Sequence, residues 1–207
     1  MRFFRLDVPV AGFRPYDARE YQQTYELPPP STVFGCLLSV LGVEANDASP
    51  FFGTRLALGG RTGERSTILR KMRRDPKAAG GKAEPQFRPE YQELLTDCEL
   101  YVGLEIGAAE RDLGEMLESA LRDPTTVARH GVVSLGESAF MVDVIARVAA
   151  SPTDITVLRP SDRGDLTLTT WVDFADRSRT RSALFALCVD RLAATDAVHV
   201  GPSTVAP

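Results

Sequence analysis

The sequence predicts an α+β protein, a β-sheet with helices packed on one face. Three observations carry this. Residues 2–10 alternate with the period of two that marks a strand. Residues 31–42 and 110–121 repeat apolar side chains at helical spacing. Short alternating or apolar runs at 51–58, 100–106, 140–148 and 165–174 surround them, giving the order strand, helix, strand, insertion, strand, helix, strands. The 207 residues suffice for one good core, and no internal repeat is visible, so a single domain over 1–207 is expected.

In the first strand Phe4, Leu6 and Val8 point one way and Phe3, Arg5 and Asp7 the other. A polar, aromatic stretch from Phe13 to Leu27 leads into PPPSTVFGCLLSVLG, Pro28 to Gly42. Its prolines hold an extended approach. Ser31 or Thr32 is a natural N-cap, because a hydroxyl there can accept from an orphan N–H of the first turn. Val33, Leu37, Leu38 and Leu41 make the apolar stripe, and Gly42 ends the helix. Gly35 inside this helix costs about 1 kcal/mol against alanine, an expense usually offset by close packing or by a ligand approaching the backbone.

After the second strand, residues 59–89 are rich in glycine and arginine and have no amphipathic period. An insertion is expected there, spanning about residues 59–95, with compact order resuming at Leu100. The second helix carries Leu113, Met116, Leu117 and Leu121 on one face, with Pro124 past its end. Gly131 to Gly136 is a short apolar run stopped by glycine. Residues 181–192 fit either a strand or a helix, and the chain after Thr195 has little pattern.

Composition excludes several classes. Cys36, Cys98 and Cys188 are odd in number and far apart, which suits neither a disulfide framework nor a zinc site. They read as small buried hydrophobes in a reducing compartment. The start has too short an apolar run for a signal peptide and no stretch is long enough to span a membrane, so a cytoplasmic protein with no membrane contact is expected. No P-loop, dinucleotide fingerprint or nucleophile elbow is present, and no cofactor is expected. His130 and His199 have no helical partner of ligand type, and Glu115 and Glu118 read as a solvated helix face. GGRTG, Gly59 to Gly63, reads as a plain loop rather than a phosphate cradle.

Charge is distributed unevenly. Residues 61–82 hold eight Lys/Arg against Glu64 and Asp75, a net of +6. The whole chain is at −4, which leaves −10 for the remainder. A solvated loop is one reading of such a run. The other is a segment whose Arg70, Lys71, Arg73 and Arg74 contact phosphates, with Arg61 and Arg65 at its base, ordering on RNA and releasing counterions.

The stretch TYELPPPSTVFGCLLSVLG, Thr24 to Gly42, resembles the N-terminal signature of the Cas-five family of CRISPR-associated (RAMP) proteins. There a tyrosine-containing approach leads to a PPPST turn and a helix with an internal glycine. VVSLGESAF, Val132 to Phe140, is similar to the family's later LG segment, and the basic insertion falls where the family carries a β-hairpin thumb. The resemblance implies a ferredoxin-like (RRM-type) antiparallel sheet with helices on one face and an inserted basic thumb. It implies a non-catalytic subunit of a type I Cascade complex that caps the 5′ handle of crRNA. Cas-seven backbone subunits and a Cas-eight-type large subunit would be its protein partners, and target DNA would be met only indirectly. The expected RNA contacts are Arg14, Tyr25, Ser31, Thr32, Arg61, Arg65, Arg70, Lys71, Arg73, Arg74, Lys77 and Lys82. Tyr21, Tyr25 and Phe13 are candidates to stack on splayed bases; Tyr25 fits a core position equally well. One branch of the family cuts repeat RNA with tyrosine, lysine and histidine. Here Tyr25 matches the first group, but Arg129 precedes His130 where a lysine would stand. No ribonuclease activity is therefore expected, with a repeat endoribonuclease as the alternative and an unrelated α+β interaction module as the third reading.

Overall fold

The computed structural model of the protein describes residues 1–15, 18, 21–73 and 87–202, without the side chains of 71–73 and 87–88. In chain order the elements are β1 (Arg2–Ala11), β2 (Tyr21–Gln22), α1 (Pro30–Val40), β3 (Thr54–Arg61), β4 (Arg65–Arg73), β5 (Phe87–Glu105) and α2 (Leu113–Arg122). They continue as β6 (Val144–Val148), β7 (Ile155–Pro160), β8 (Leu166–Trp171), β9 (Arg181–Asp190) and β10 (Val198–Val200). The sheet runs β6-β1-β5-β3-β7-β9-β8, with β10 on β3 and both β2 and β4 on β5. Among the described residues every strand pairing is antiparallel except β2 with β5. The α+β class is thus observed, with α1 and α2 on the same face of the sheet.

The alternation in β1 builds that face. Phe4, Leu6 and Val8 are buried with Leu56 and Leu58 of β3 and Leu100, Val102 and Leu104 of β5. Against them pack Val33, Phe34, Leu37 and Leu38 of α1 and Leu113 and Leu117 of α2. The intervening residues Ala57 and Tyr101 point to the opposite face and join Ile155, Val157 and Leu192. Cys36 and Cys98 are buried and Cys188 half-buried, all three as free thiols. Burial pushes Cys36 up to about 12 and Cys98 up to about 11, as apolar surroundings disfavour a thiolate.

Helix α1 begins two residues earlier than a Ser31 cap requires, and three earlier than a Thr32 cap does. Pro29 is the N-cap and Pro30 the first helical residue, with no side-chain cap bond. The missing N–H of Pro30 would be an orphan in any case and its fixed φ suits the first turn. Ser31 and Thr32 therefore lie inside the helix, where Thr32 N–H donates to the Pro29 carbonyl at 2.9 Å. At the other end Gly42 (φ +69°) closes a Schellman motif: its N–H donates to Ser39 O at 3.1 Å and that of Val43 to Leu38 O at 3.1 Å. Gly35 is exposed, and a Cβ there would meet nothing within 4 Å, so packing within the chain does not explain it.

The insertion is shorter than its composition suggests. β3 continues through Gly59 and Gly60, where a Cβ on Gly60 would stand 2.6 Å from the Glu99 carbonyl, so GGRTG begins as strand. β5 starts at Phe87 and not at Leu100, its first half hidden by polar residues. Of residues 181–192, Arg181–Asp190 form β9, and β7 and β10 were not foreseen; β10 places His199 in a ladder opposite Arg55. Residues 140–143 lie outside β6.

The two helix glycines predict opposite responses. Gly35→Ala should stabilise the isolated protein by about 0.5–1 kcal/mol, because alanine gains helix propensity and meets no neighbour. Gly42→Ala should destabilise it by more than about 1 kcal/mol, since φ is left-handed and the new Cβ would lie 2.2 Å from the Ala128 carbonyl oxygen. Urea midpoints at unchanged slope read both.

Candidate nucleic-acid interface

β5 is long enough to do two things. Its residues from Leu95 to Leu104 pair with β1, from Leu95↔Ala11 to Leu104↔Arg2. Its earlier residues run past the end of β1 and pair with β4, from Arg65↔Leu95 to Arg73↔Phe87. The partner on that edge changes from β3 to β4 at a turn fixed by Gly63 N–H to Thr96 O (2.8 Å) and Thr96 N–H to Glu64 O (3.1 Å). Asp97, at φ 48°, marks the same place. β2 adds a short parallel rung, Tyr21↔Tyr91 and Gln22↔Gln92.

Alternation then sorts the side chains. Gln22 and Gln92 are buried on one face. Gln92 Nε2 donates to Glu137 Oε1 at 2.9 Å, and Arg70 Nη1 donates to Gln92 Oε1 at 2.5 Å and to Glu137 Oε2 at 3.0 Å. Gln22 Nε2 donates to Glu90 at 2.6 Å. On the other face Glu93 gathers three donors: Tyr21 Oη, Thr24 N–H and Arg65 Nη1, each at 3.0 Å. Burial alone would raise the Glu93 pKa, but the Thr24 N–H, the Tyr21 hydroxyl and the Arg65 charge outweigh it and hold the carboxyl below its ordinary value.

The expected contact residues fall into separate groups. Arg61, Arg65 and Arg70 are each already paired with a carboxylate, Asp154, Glu93 and Glu137 respectively. An anionic ligand would have to share or displace those partners. Lys71 and Arg73 stand on β4 opposite Pro89 and Phe87. Arg74, Lys77 and Lys82 lie outside the described residues. Arg14 and Thr32 meet across a cleft of about 170 Å³ with Pro29, Gly136 and Glu137, so the LG segment reaches both the start of α1 and, through Glu137, the hairpin. Ser31 faces a different, apolar groove shared with Gly35, Phe52 and Trp171. Tyr25 is half-buried against the core, its hydroxyl 3.5 Å from the Thr167 carbonyl. Phe13 is a correction: at 2% exposure, with its N–H donating to Thr24 Oγ1 at 2.7 Å, it is core and offers no face to a base. Glu93, Gln92 and Glu137 were missed by the sequence reading. Acids placed in alternation opposite a basic strand were the available signal. Among the described residues no three His, Cys, Asp or Glu side chains converge as a metal site would need.

The molecule is an α+β protein whose antiparallel sheet is extended by a hairpin, β4 with the first half of β5. The comparisons narrow it. A family model described as "CRISPR-associated protein (Cas_Cas5)" matches residues 3–149. A curated protein of Myxococcus xanthus (strain DK1622), CRISPR-associated protein Cas5, is 36% identical over 185 residues, covering 85% of each chain. The chain belongs to the Cas5 family of CRISPR-associated proteins, the Cas-five family that Thr24–Gly42 resembles. Two solved structures share the fold. One chain, described as "CRISPR RNA-guided surveillance complex", has a TM-score of 0.67 at 17% identity, over 95% of this chain and 92% of its own. Another, "Crystal structure of Cas protein", has a TM-score of 0.50 at 19% identity, over 98% and 99%.

Glu93 gives a pH test. A lowered carboxyl pKa contributes stability that is fully present above the unfolded value, about 4.3, and is lost as pH falls through the folded one. Wild type should therefore lose unfolding free energy more steeply than Glu93→Gln between about pH 5 and 3. Urea unfolding across that range checks it; parallel slopes would show that the carboxylate is not stabilised in the fold.

Proposed function

We propose that the chain is a non-catalytic subunit of a type I CRISPR surveillance complex, working in the cytoplasm, that binds and caps the 5′ handle of crRNA. The observation that carries this reading is the β4–β5 hairpin. It extends a Cas5-family sheet beyond its β1 partner, and its sequence holds most of the +6 segment. It corresponds to the basic thumb inferred from the family. The strand order β6-β1-β5-β3, with α1 after β1 and α2 after β5, supports the ferredoxin-like reading, because those elements follow the order βαββαβ. Single-stranded RNA suits such a surface: cations along a projecting ribbon track the backbone, and counterion release supplies salt-dependent affinity. Arg14 and Thr32 at the adjoining cleft extend the contact toward the N-terminus of α1, where backbone N–H groups and the helix dipole favour a phosphate. Cas-seven and Cas-eight-type subunits are the protein partners in this reading, and target DNA is reached through the guide.

A half-buried Tyr25 packed against the core and Arg129 directed at its own loop (Nη1 to Gly131 O, 2.9 Å) support a non-catalytic role. Two measurements follow. Co-expression with neighbouring Cas subunits and a guide should yield a complex containing intact crRNA. Changing Arg70, Lys71, Arg73 and Arg74 together to alanine should weaken handle-RNA binding. It should also reduce the slope of log K against log salt by roughly 0.7 for each phosphate that is no longer neutralised. Unaltered binding and slope would sink the hairpin's role, and cleavage of a repeat transcript by the purified protein would overturn the non-catalytic assignment.

A further inference from the structure

On the solvent face of the hairpin the register builds a row whose rings the ion-pair network leaves uncovered. Tyr21 of β2 stands opposite Tyr91 of β5, and Tyr91 stands opposite Leu69 of β4. Gln22 and Gln92, their sequence neighbours, turn inward and are buried, so alternation directs the two tyrosines outward together. Tyr21 is 46% exposed, Tyr91 51% and Leu69 55%. The rings are 6.5 Å apart and inclined by 36°. The Tyr21 hydroxyl is fixed by Glu93 at 3.0 Å and lies 3.4 Å from Thr67 Oγ1, so that ring is held in place without being covered.

Aromatic side chains usually bury their area when folding alone decides. Two half-exposed tyrosines side by side on a three-strand ribbon present a preformed apolar platform at little further entropy cost. The surrounding charge selects the occupant. Glu93, the acid at the row's edge, is neutralised by Arg65, and the same ribbon runs into the +6 segment through Lys71 and Arg73. A polyanion that also offers flat apolar faces matches both features. We propose that Tyr21 and Tyr91 form a stacking platform for unpaired nucleobases of single-stranded RNA, with Leu69 as its apolar margin. This rests on the RNA-binding reading above and adds a base-facing surface to its phosphate-facing cations. Because every base has a π-face, the platform is tolerant of sequence and its contribution is largely independent of salt.

The experiment uses the full chain, single-stranded RNA oligonucleotides carrying 2-aminopurine, and three proteins: wild type, Tyr21→Leu with Tyr91→Leu, and Tyr91→Phe. Leucine keeps apolar bulk but has no π-face, whereas phenylalanine keeps the face. The leucine pair should bind about 5- to 150-fold more weakly for one stacked base, with the salt slope unchanged and the 2-aminopurine quenching abolished. Tyr91→Phe should bind and quench like wild type. Unchanged melting of the leucine pair separates stacking from misfolding, and Tyr91→Phe alone decides the matter if that pair fails to fold: absence of quenching there overturns the platform. If wild type binds RNA and the leucine pair binds and quenches equally, the platform is overturned while the RNA reading stands. If the pair keeps RNA but drops out of the assembled complex, the row is a protein contact and the proposal is overturned. If wild type ignores RNA at low salt, both readings fall together.

Discussion

The rest of this structure depends on the backbone hydrogen bonding of β5. A strand of 19 residues presents more N–H and C=O groups than any one neighbour can satisfy, and unpaired ones are costly wherever water is excluded. The chain meets this by dividing the strand. The later residues of β5 take β1 on one edge and β3 on the other, while those from Phe87 to Leu95 take β4 and the short β2. The exchange of β3 for β4 is possible because Gly63 and the left-handed Asp97 let the chain leave one ladder and enter the next within a few residues. A two-stranded ribbon therefore grows directly from the packed sheet on one continuous strand. Whatever the ribbon contacts is positioned by the same strand that carries Leu100, Val102 and Leu104 into the core.

How much of this was legible followed from how strongly one face was buried. β1, α1 and α2 each have a wet side and a dry side, so their periodicity named their buried residues correctly: Phe4, Leu6 and Val8, Val33 and Leu37, Leu113 and Leu117. The first half of β5 has no such contrast. Its inward face carries Gln92, satisfied by Arg70 and Glu137, and its outward face carries Tyr91, so a buried polar group and an exposed aromatic invert the usual pattern. Neither the strand nor the tyrosine row is visible to hydrophobic periodicity for that reason. The basic residues of the segment were legible as a charge run. Their partners were not, because Asp154 and Glu137 come from distant segments and only folding brings them to Arg61 and Arg70. The cap of α1 was misplaced by a single turn feature: a hydroxyl is a good cap, but Pro30 at the first helical position makes the cap bond unnecessary.

On the RNA-binding reading proposed above, the pairing of those arginines reconciles an acidic chain with an anionic ligand. At physiological salt, charges beyond about 8 Å are largely screened at a protein surface. A phosphate at the ribbon therefore feels the nearby cations much more than the −10 carried by the rest of the chain. Close to the ribbon the relevant question is whether Arg65 and Arg70 are free, and each holds a carboxylate. The two guanidinium groups are half-exposed, so a phosphate could share each with its carboxylate, which keeps its other donors: Tyr21 and Thr24 at Glu93, Gln92 at Glu137. The same carboxylates fix the guanidinium groups of Arg65 and Arg70 and offset the repulsion of neighbouring cations. On the RNA-binding reading proposed above, Glu93 and Glu137 hold Arg65 and Arg70 where a phosphate would take their place. The proposed tyrosine platform differs from those arginines: a base stacked on Tyr21 and Tyr91 would break no ion pair.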